Sequence, residues 1–277
     1  MPVFPRRFAP LFVALPLAAL LALSACSRPD PLERAAEMPP QELYATAERL
    51  LDEERHAEAA KAFEEVERQH PYSEYATRAQ LMAAVAHYRA ADYDAAIAAA
   101  QRFVELHPGH PDVPYALYLI GESWYEQLES VERDQTAAEK ALEAFRDLVR
   151  RHPDSDWAKD ARLKIDLVLD HLAGREMEVG RFYQRRGQWL AAANRFRRVV
   201  EDYQTTVHVP EALYRLVECY LALGLPEEAK RAAAVLGHNH PDSEWYRRAY
   251  ALVTEGRLPP GGGSRGWWSR LADMLPF

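Results

Sequence analysis

One arrangement of residues recurs five times along this chain and limits what it can fold into. If His70-Pro71, His107-Pro108, His152-Pro153, Tyr203-Gln204 and His240-Pro241 are taken as marks, the residue eleven positions before each is an alanine: Ala59, Ala96, Ala141, Ala192 and Ala229. Seven positions before each stand Phe63, Ala100, Phe145, Phe196 and Ala233; four before stand Val66, Phe103, Leu148, Val199 and Leu236. Offsets of four and then three put these residues on one face of a helix. The alanine lets a partner helix approach closely, the larger residues fill the space below it, and the proline stops the helix. Each phrase such as FEEVERQHPYS (63–73) or FRDLVRRHPDS (145–155) therefore reads as the second helix of a hairpin followed by its stop signal.

The first helix is plainest in VGRFYQRRGQWLAA (179–192), where Gly180 and Tyr183 precede Gly187, Trp189 and Ala192. This resembles the tetratricopeptide pattern of small residue, aromatic, turn glycine, aromatic and alanine, a repeat architecture. The spacings between marks are 37, 45, 51 and 37. The extra length before the third mark falls in LESVERDQTAAEK and lengthens a hairpin turn. The extra length after Pro153 falls in DSDWAKDARLKIDLVLDHLAGREMEVGRFYQRR, which reads as one long amphipathic helix. The expected fold is all-α, an α-α superhelix of about five tetratricopeptide-like hairpins with a long strut helix between the third and fourth. Repeats one to three occupy 40–153; the strut with repeats four and five occupies 154–256.

The ends of the chain read differently. Arg6 and Arg7 precede an uncharged apolar run from Phe8 to Leu23, the form of an export signal, too short and too interrupted by Pro10 and Pro16 for a spanning helix. Ser24 and Ala25 directly before Cys26 resemble a bacterial lipobox; the alternative is an ordinary signal peptide with a chance cysteine beside it. The lipobox reading gives a signal peptide over 1–25 and an acylated Cys26 opening a linker over 26–39. Several acyl chains anchor firmly where one holds marginally. Ser27 after the cysteine favours, by resemblance to lipoprotein sorting, the outer membrane, with the protein facing the periplasm. Removing Arg6 and Arg7 with the signal takes the formal charge from −8 to −10, which excludes nucleic acid as an expected partner. With Cys26 acylated, Cys219 stands alone and reads as a small buried hydrophobe. The tail over 257–277, a glycine-rich linker and then WWSRLADMLPF, carries a short apolar stripe that needs a surface to fold on.

The chain resembles the BamD family of outer membrane protein assembly factors over about residues 22–250. The resemblance is carried by PPQELYATAERLLDEERHAEAAKAFEEVERQHPYS, FVELHPGHPDVPYALYLIGESWY and LAGREMEVGRFYQRRGQWLAAANRFRRVVEDYQTT. It implies an outer membrane lipoprotein scaffold of the β-barrel assembly machine. Such a scaffold binds a POTRA domain of BamA and unfolded outer membrane β-barrel proteins, alongside other assembly-machine lipoproteins. Two departures stand out: the insertion in the third hairpin keeps ERDQ (132–135) and little else, and the tail is unusual, so contacts of the family's C-terminus do not transfer. The rival reading is a different periplasmic repeat lipoprotein, a cell-wall or cell-division adaptor.

No nucleotide, hydrolase or zinc-protease motif occurs, so no enzyme, cofactor or metal is expected. Of the ten histidines, His70, His107, His152 and His240 repeat the mark position and are better read as helix-end residues than as ligands, and the pairs His107/His110 and His238/His240 lack a third partner for a metal. In the first three hairpins, residues a third of a turn from the packing face read as a concave groove: Tyr44, Leu81, Val85, Tyr88, Tyr115, Tyr118, Glu122 and Tyr125. Tyrosine offers a broad apolar face with a polar tip, which suits an extended aromatic-rich peptide; the alternative is that tyrosines pack between repeats. Repeat four concentrates Arg181, Arg185, Arg186, Arg195, Arg197 and Arg198 in an acidic chain. A solvated face explains that equally well, while the resemblance, through the NR of AAANRF, implies that Arg195, with Arg197 beside it, contacts BamA.

Overall fold

The computed structural model describes residues 37–131 and 133–255; Cys26 and the tail over 257–277 lie outside the described residues. Eleven helices and no strand occur among them. They pair as α1 (Pro40–Asp52) with α2 (His56–Gln69), α3 (Glu74–Arg89) with α4 (Tyr93–Leu106), α5 (Val113–Tyr125) with α6 (Thr136–Arg151), α7 (Asp156–Arg185) with α8 (Trp189–Asp202), and α9 (Val209–Ala222) with α10 (Pro226–Asn239). A last helix, α11 (Glu244–Glu255), closes the stack.

The five marks hold one conformation. His70, His107, His152, Tyr203 and His240 are each the residue that ends the second helix, with φ between −137° and −128°, and each backbone N–H returns to the carbonyl four residues earlier. The phrase is a start signal too. After the proline, Ser73 and Ser155 accept hydrogen bonds from the N–H groups of Ala76 and Ala158, capping α3 and α7 at 3.2 and 3.1 Å. All five alanines of the register are fully buried, as are Phe63, Phe145 and Phe196. Gly180 shows why the facing position must be small: a Cβ there would lie 2.5 Å from the Phe196 ring. Gly121 meets Phe145 in the same way.

The extra length appears where the spacing put it. The link between α5 and α6 spans 126–135, and α7 runs for 30 residues, about 45 Å at 1.5 Å per residue. This helix belongs to two cores. Ala158, Ala161, Val168 and Leu172 pack with repeats two and three, whereas Ala173 and Met177 pack with repeats four and five. Repeat one has its own core around Leu43, Leu50 and Phe63. The closing helix α11 was not set apart by the repeat count. It covers the open end of repeat five, with Tyr246 over Gly237 and Trp245 at 5.3 Å from Tyr214.

Candidate functional site

The inner face divides into a covered part and an accessible part. Tyr44, Leu81, Val85 and Glu122 are interior residues, and the expectation that they line an open groove is corrected: Tyr44 is only 6% exposed, set edge-on to Phe63 at 5.4 Å and against Tyr75 at 5.5 Å, and Glu122 is buried against Lys164. Leu81 and Val85 belong to the core shared with α5. Side chains a third of a turn from the hairpin seam are covered by the first helix of the next repeat, so they hold neighbouring repeats together.

Tyr88, Tyr115, Tyr118 and Tyr125 remain half-buried and form one cluster with side chains from the strut. The Trp157 ring lies tilted against two tyrosines, its centroid 4.6 Å from that of Tyr115 and 5.1 Å from that of Tyr118. The Tyr118 hydroxyl donates to Asp160. Lys164 sits 4.3 Å above the Tyr125 ring and pairs with the buried Glu122: its Nζ donates to Oε2 at 3.1 Å and stands 2.9 Å from Oε1 in an orientation too oblique for a hydrogen bond. Burial, reinforced by the Glu122 and Glu126 charges, pushes the Tyr88 hydroxyl up to about 12. Burial and the bond to Asp160 raise Tyr118 further. Both phenols keep their protons well past neutral pH, and that of Tyr118 is committed to Asp160.

Trp157, Asp160 and Lys164 were missing from the sequence-derived groove. Their signal is a stripe at spacings of three and four, 157, 160, 164, 167, 171, 174, 178 and 181, on the strut. At mid-strut this stripe floors a cleft of about 390 Å³ bordered by Tyr125, Val131, His171 and His208.

The arginines of repeat four are sorted by their partners. Arg195 and Arg198, one turn apart on α8, both reach Glu176 of α7, at 3.1 and 3.0 Å. Arg197 turns to the Tyr220 hydroxyl at 3.2 Å and Asn194 at 3.4 Å. Arg181 pairs with Glu178 and Glu211, while Arg186 lies 4.2 Å over the Phe182 ring. A notch of about 410 Å³ lies over the first pair, lined by Tyr183, Ala191, Asn194, Arg195 and Arg198.

Among the described residues no group of three or more His, Cys, Asp or Glu side chains is placed to hold a metal ion, and no helix is long and apolar enough to cross a membrane. His70 and His107 spend their Nε2 atoms on Met38 O and Gln80 Oε1. Cys219 is buried, its thiol pushed up to about 12 by burial, which leaves it inert.

Hairpins stacked into a superhelix, with an aromatic cluster and a basic notch at separate places along one long helix, define a helical-repeat scaffold of the tetratricopeptide type. The model of the YfiO family, described as outer membrane lipoprotein, matches residues 36–236, and the chain belongs to that family. It is 49% identical over 258 residues to the outer membrane protein assembly factor BamD of Caulobacter vibrioides, covering 93% of this chain and 85% of that protein. It is 44% identical to the BamD of Rickettsia prowazekii over 76% of this chain and 84% of that one. With the BamD of Neisseria meningitidis serogroup A it shares 37% identity over 83% and 91%.

Proposed function

We propose that this chain is a non-catalytic scaffold subunit of the β-barrel assembly machine. Residues 1–25 direct export and are removed, and Cys26 carries the acyl chains that hold the protein on the periplasmic side of the outer membrane. The face around Arg195 engages a POTRA domain of BamA. The cluster of Tyr88, Tyr115, Tyr118 and Trp157 engages aromatic-rich segments of unfolded outer membrane proteins. The reading is carried by the 49% identity to an outer membrane protein assembly factor across 93% of the chain. The separation of the two faces supports it, because a scaffold that passes a substrate to a partner needs both accessible at once.

Depletion of the protein followed by a census of folded outer membrane barrels tests this function. The proposal expects folded barrels to diminish first, and co-purification through the Cys26-anchored protein to recover BamA.

A further inference from the structure

An apolar patch lies on the turn edge of the last two hairpins. Leu190, 62% exposed at the start of α8, and Leu223, 37% exposed in the turn before α10, line one open concavity of about 550 Å³ beside Trp189. Leu225, 45% exposed, stands two residues further along the same turn. A lone exposed leucine needs no explanation, whereas several on one patch mark a contact surface. The repeat register sharpens the point. Thirteen positions before the marks, where the fourth repeat has Leu190, the others have Ala57, Asp94, Glu139 and Glu227. Where the fifth turn has Leu223 and Leu225, the turns of equal length in repeats one, two and four have Glu53 and Arg55, Ala90 and Asp92, and Arg186 and Gln188. Leucine thus replaces polar or small residues at this end of the stack.

The chain leaves the described structure at this same edge. Trp245 of α11 is level with Tyr214 of α9, and Tyr246 with Gly237 of α10. Because α11 runs parallel to α9 and antiparallel to α10, ten residues beyond Trp245 bring Glu255 level with Gly224, between Leu223 and Leu225. From Glu255 to Trp267 the linker gives twelve steps, a reach of up to about 40 Å, against spacings of about 8–10 Å between packed helices. Trp267, Leu271 and Met274 then follow at intervals of four and three, with Arg270 and Asp273 off the stripe. Eleven residues do not sustain a helix alone, so the stripe needs an apolar surface, and one lies within reach.

We propose that residues 267–277 dock as a short amphipathic helix on the patch of Leu190, Leu223 and Leu225 of their own chain, with Trp267, Leu271 and Met274 against the leucines. The docked tail clasps repeats four and five at their turns. Ala191 and Asn194 line both this concavity and the basic notch, so the tail stands at the rim of the notch. The proposal rests on the fold and holds whatever the notch binds.

The test uses the chain from residue 26 onward with Cys26→Ser, in buffer free of lipid and detergent, and reads hydrogen exchange by mass spectrometry. Amides of 267–277 should exchange roughly tenfold more slowly than in the isolated peptide WWSRLADMLPF. That protection should be lost when Leu190→Glu and Leu223→Glu are combined, and should persist in Val235→Glu, a comparably exposed apolar position on the body of α10. The helical spectrum serves as the folding control. A second reading leaves the patch intact: a photoreactive benzoylphenylalanine in place of Met274 should crosslink to residues 187–191 or 223–225 of the same chain, with isotope-labelled and unlabelled protein mixed to tell one chain from two. Exchange as fast as in the isolated peptide, or protection that survives the double substitution, would overturn the proposal. So would crosslinks between labelled and unlabelled chains, crosslinks to the cluster around Trp157, or protection that appears only with phosphatidylethanolamine vesicles; these assign the tail to a second copy, to the aromatic cluster or to a membrane.

Discussion

Glu122 of α5 and Lys164 of the strut form an ion pair across 42 positions of sequence, their side chains 10% and 22% exposed. The pair ties the third repeat to the helix that carries the last two. Breaking such a pair by removing one partner leaves a charge with little water to turn to, which costs about 3–5 kcal/mol for a fully buried pair. Lys164→Met should therefore destabilise the protein by about 3 kcal/mol, and adding Glu122→Gln should restore most of that. Urea unfolding of the two variants measures both, and a double variant no more stable than Lys164→Met would show that the pair is not the source of the loss.

Two glycines of the strut give opposite expectations. A Cβ on Gly180 would meet the Phe196 ring at 2.5 Å, whereas one on Gly174 has its nearest neighbours, His208 Nε2 and Val131 Cγ1, at 3.4 and 3.5 Å. Gly180→Ala should cost about 1–3 kcal/mol through overpacking. Gly174→Ala should be neutral or stabilise by up to about 1 kcal/mol, because alanine is the better helix former. Thermal melts of both variants check the hairpin geometry directly.

Alkaline titration probes the aromatic cluster. A phenol whose pKa is raised in the folded state keeps its proton while its unfolded counterpart loses it, so the unfolded state binds fewer protons and stability falls as pH rises. Tyr88, pushed up to about 12, contributes nothing below the ordinary tyrosine pKa of about 10 and a loss from there to about 12. Urea midpoints should thus be flat through neutral pH and fall above about pH 10, with a shallower fall in Tyr88→Phe. An unchanged slope in that variant would contradict its burial.

Much of this architecture was legible because a repeat states its packing rule several times. Ala59, Ala96, Ala141, Ala192 and Ala229 identified one buried seam, and the spacing of the marks foretold the length of α7. The groove was less legible because periodicity describes a single helix. It shows which way Tyr44 and Leu81 turn, and nothing of the neighbouring helix that covers them. Glu176 was hidden for the opposite reason: a glutamate in a charged stretch reads as solvated, and only the fold brings Arg195 and Arg198 over it. Trp157, Asp160 and Lys164 stand at regular spacing on the strut, outside the first helices of the three hairpins whose faces define the expected groove.

Covered and accessible aromatic residues should respond differently to truncation. Trp157→Ala and Tyr118→Ala remove the accessible surface and should reduce crosslinking to peptides from the aromatic C-terminal strands of outer membrane proteins, with a modest change in melting temperature. Tyr44→Ala empties an interior site and should cost about 3–5 kcal/mol, as large aromatic truncations do. Any loss of crosslinking there should disappear once folded protein is compared at equal concentration. Equal peptide losses at all three positions, after that correction, would mean that the cluster on the strut is not the binding face.

The most direct test of the scaffold role is a depletion strain complemented with wild-type protein, Cys26→Ser or Arg195→Glu, read by the amount of heat-modifiable, folded β-barrel protein in the outer membrane. The wild type should restore folded barrels. Cys26→Ser should fail to fractionate with the outer membrane, and Arg195→Glu should stay anchored and helical but restore fewer barrels and recover less BamA. Folded barrels at undiminished levels throughout depletion, with wall or division defects appearing first, would contradict the assignment to barrel assembly.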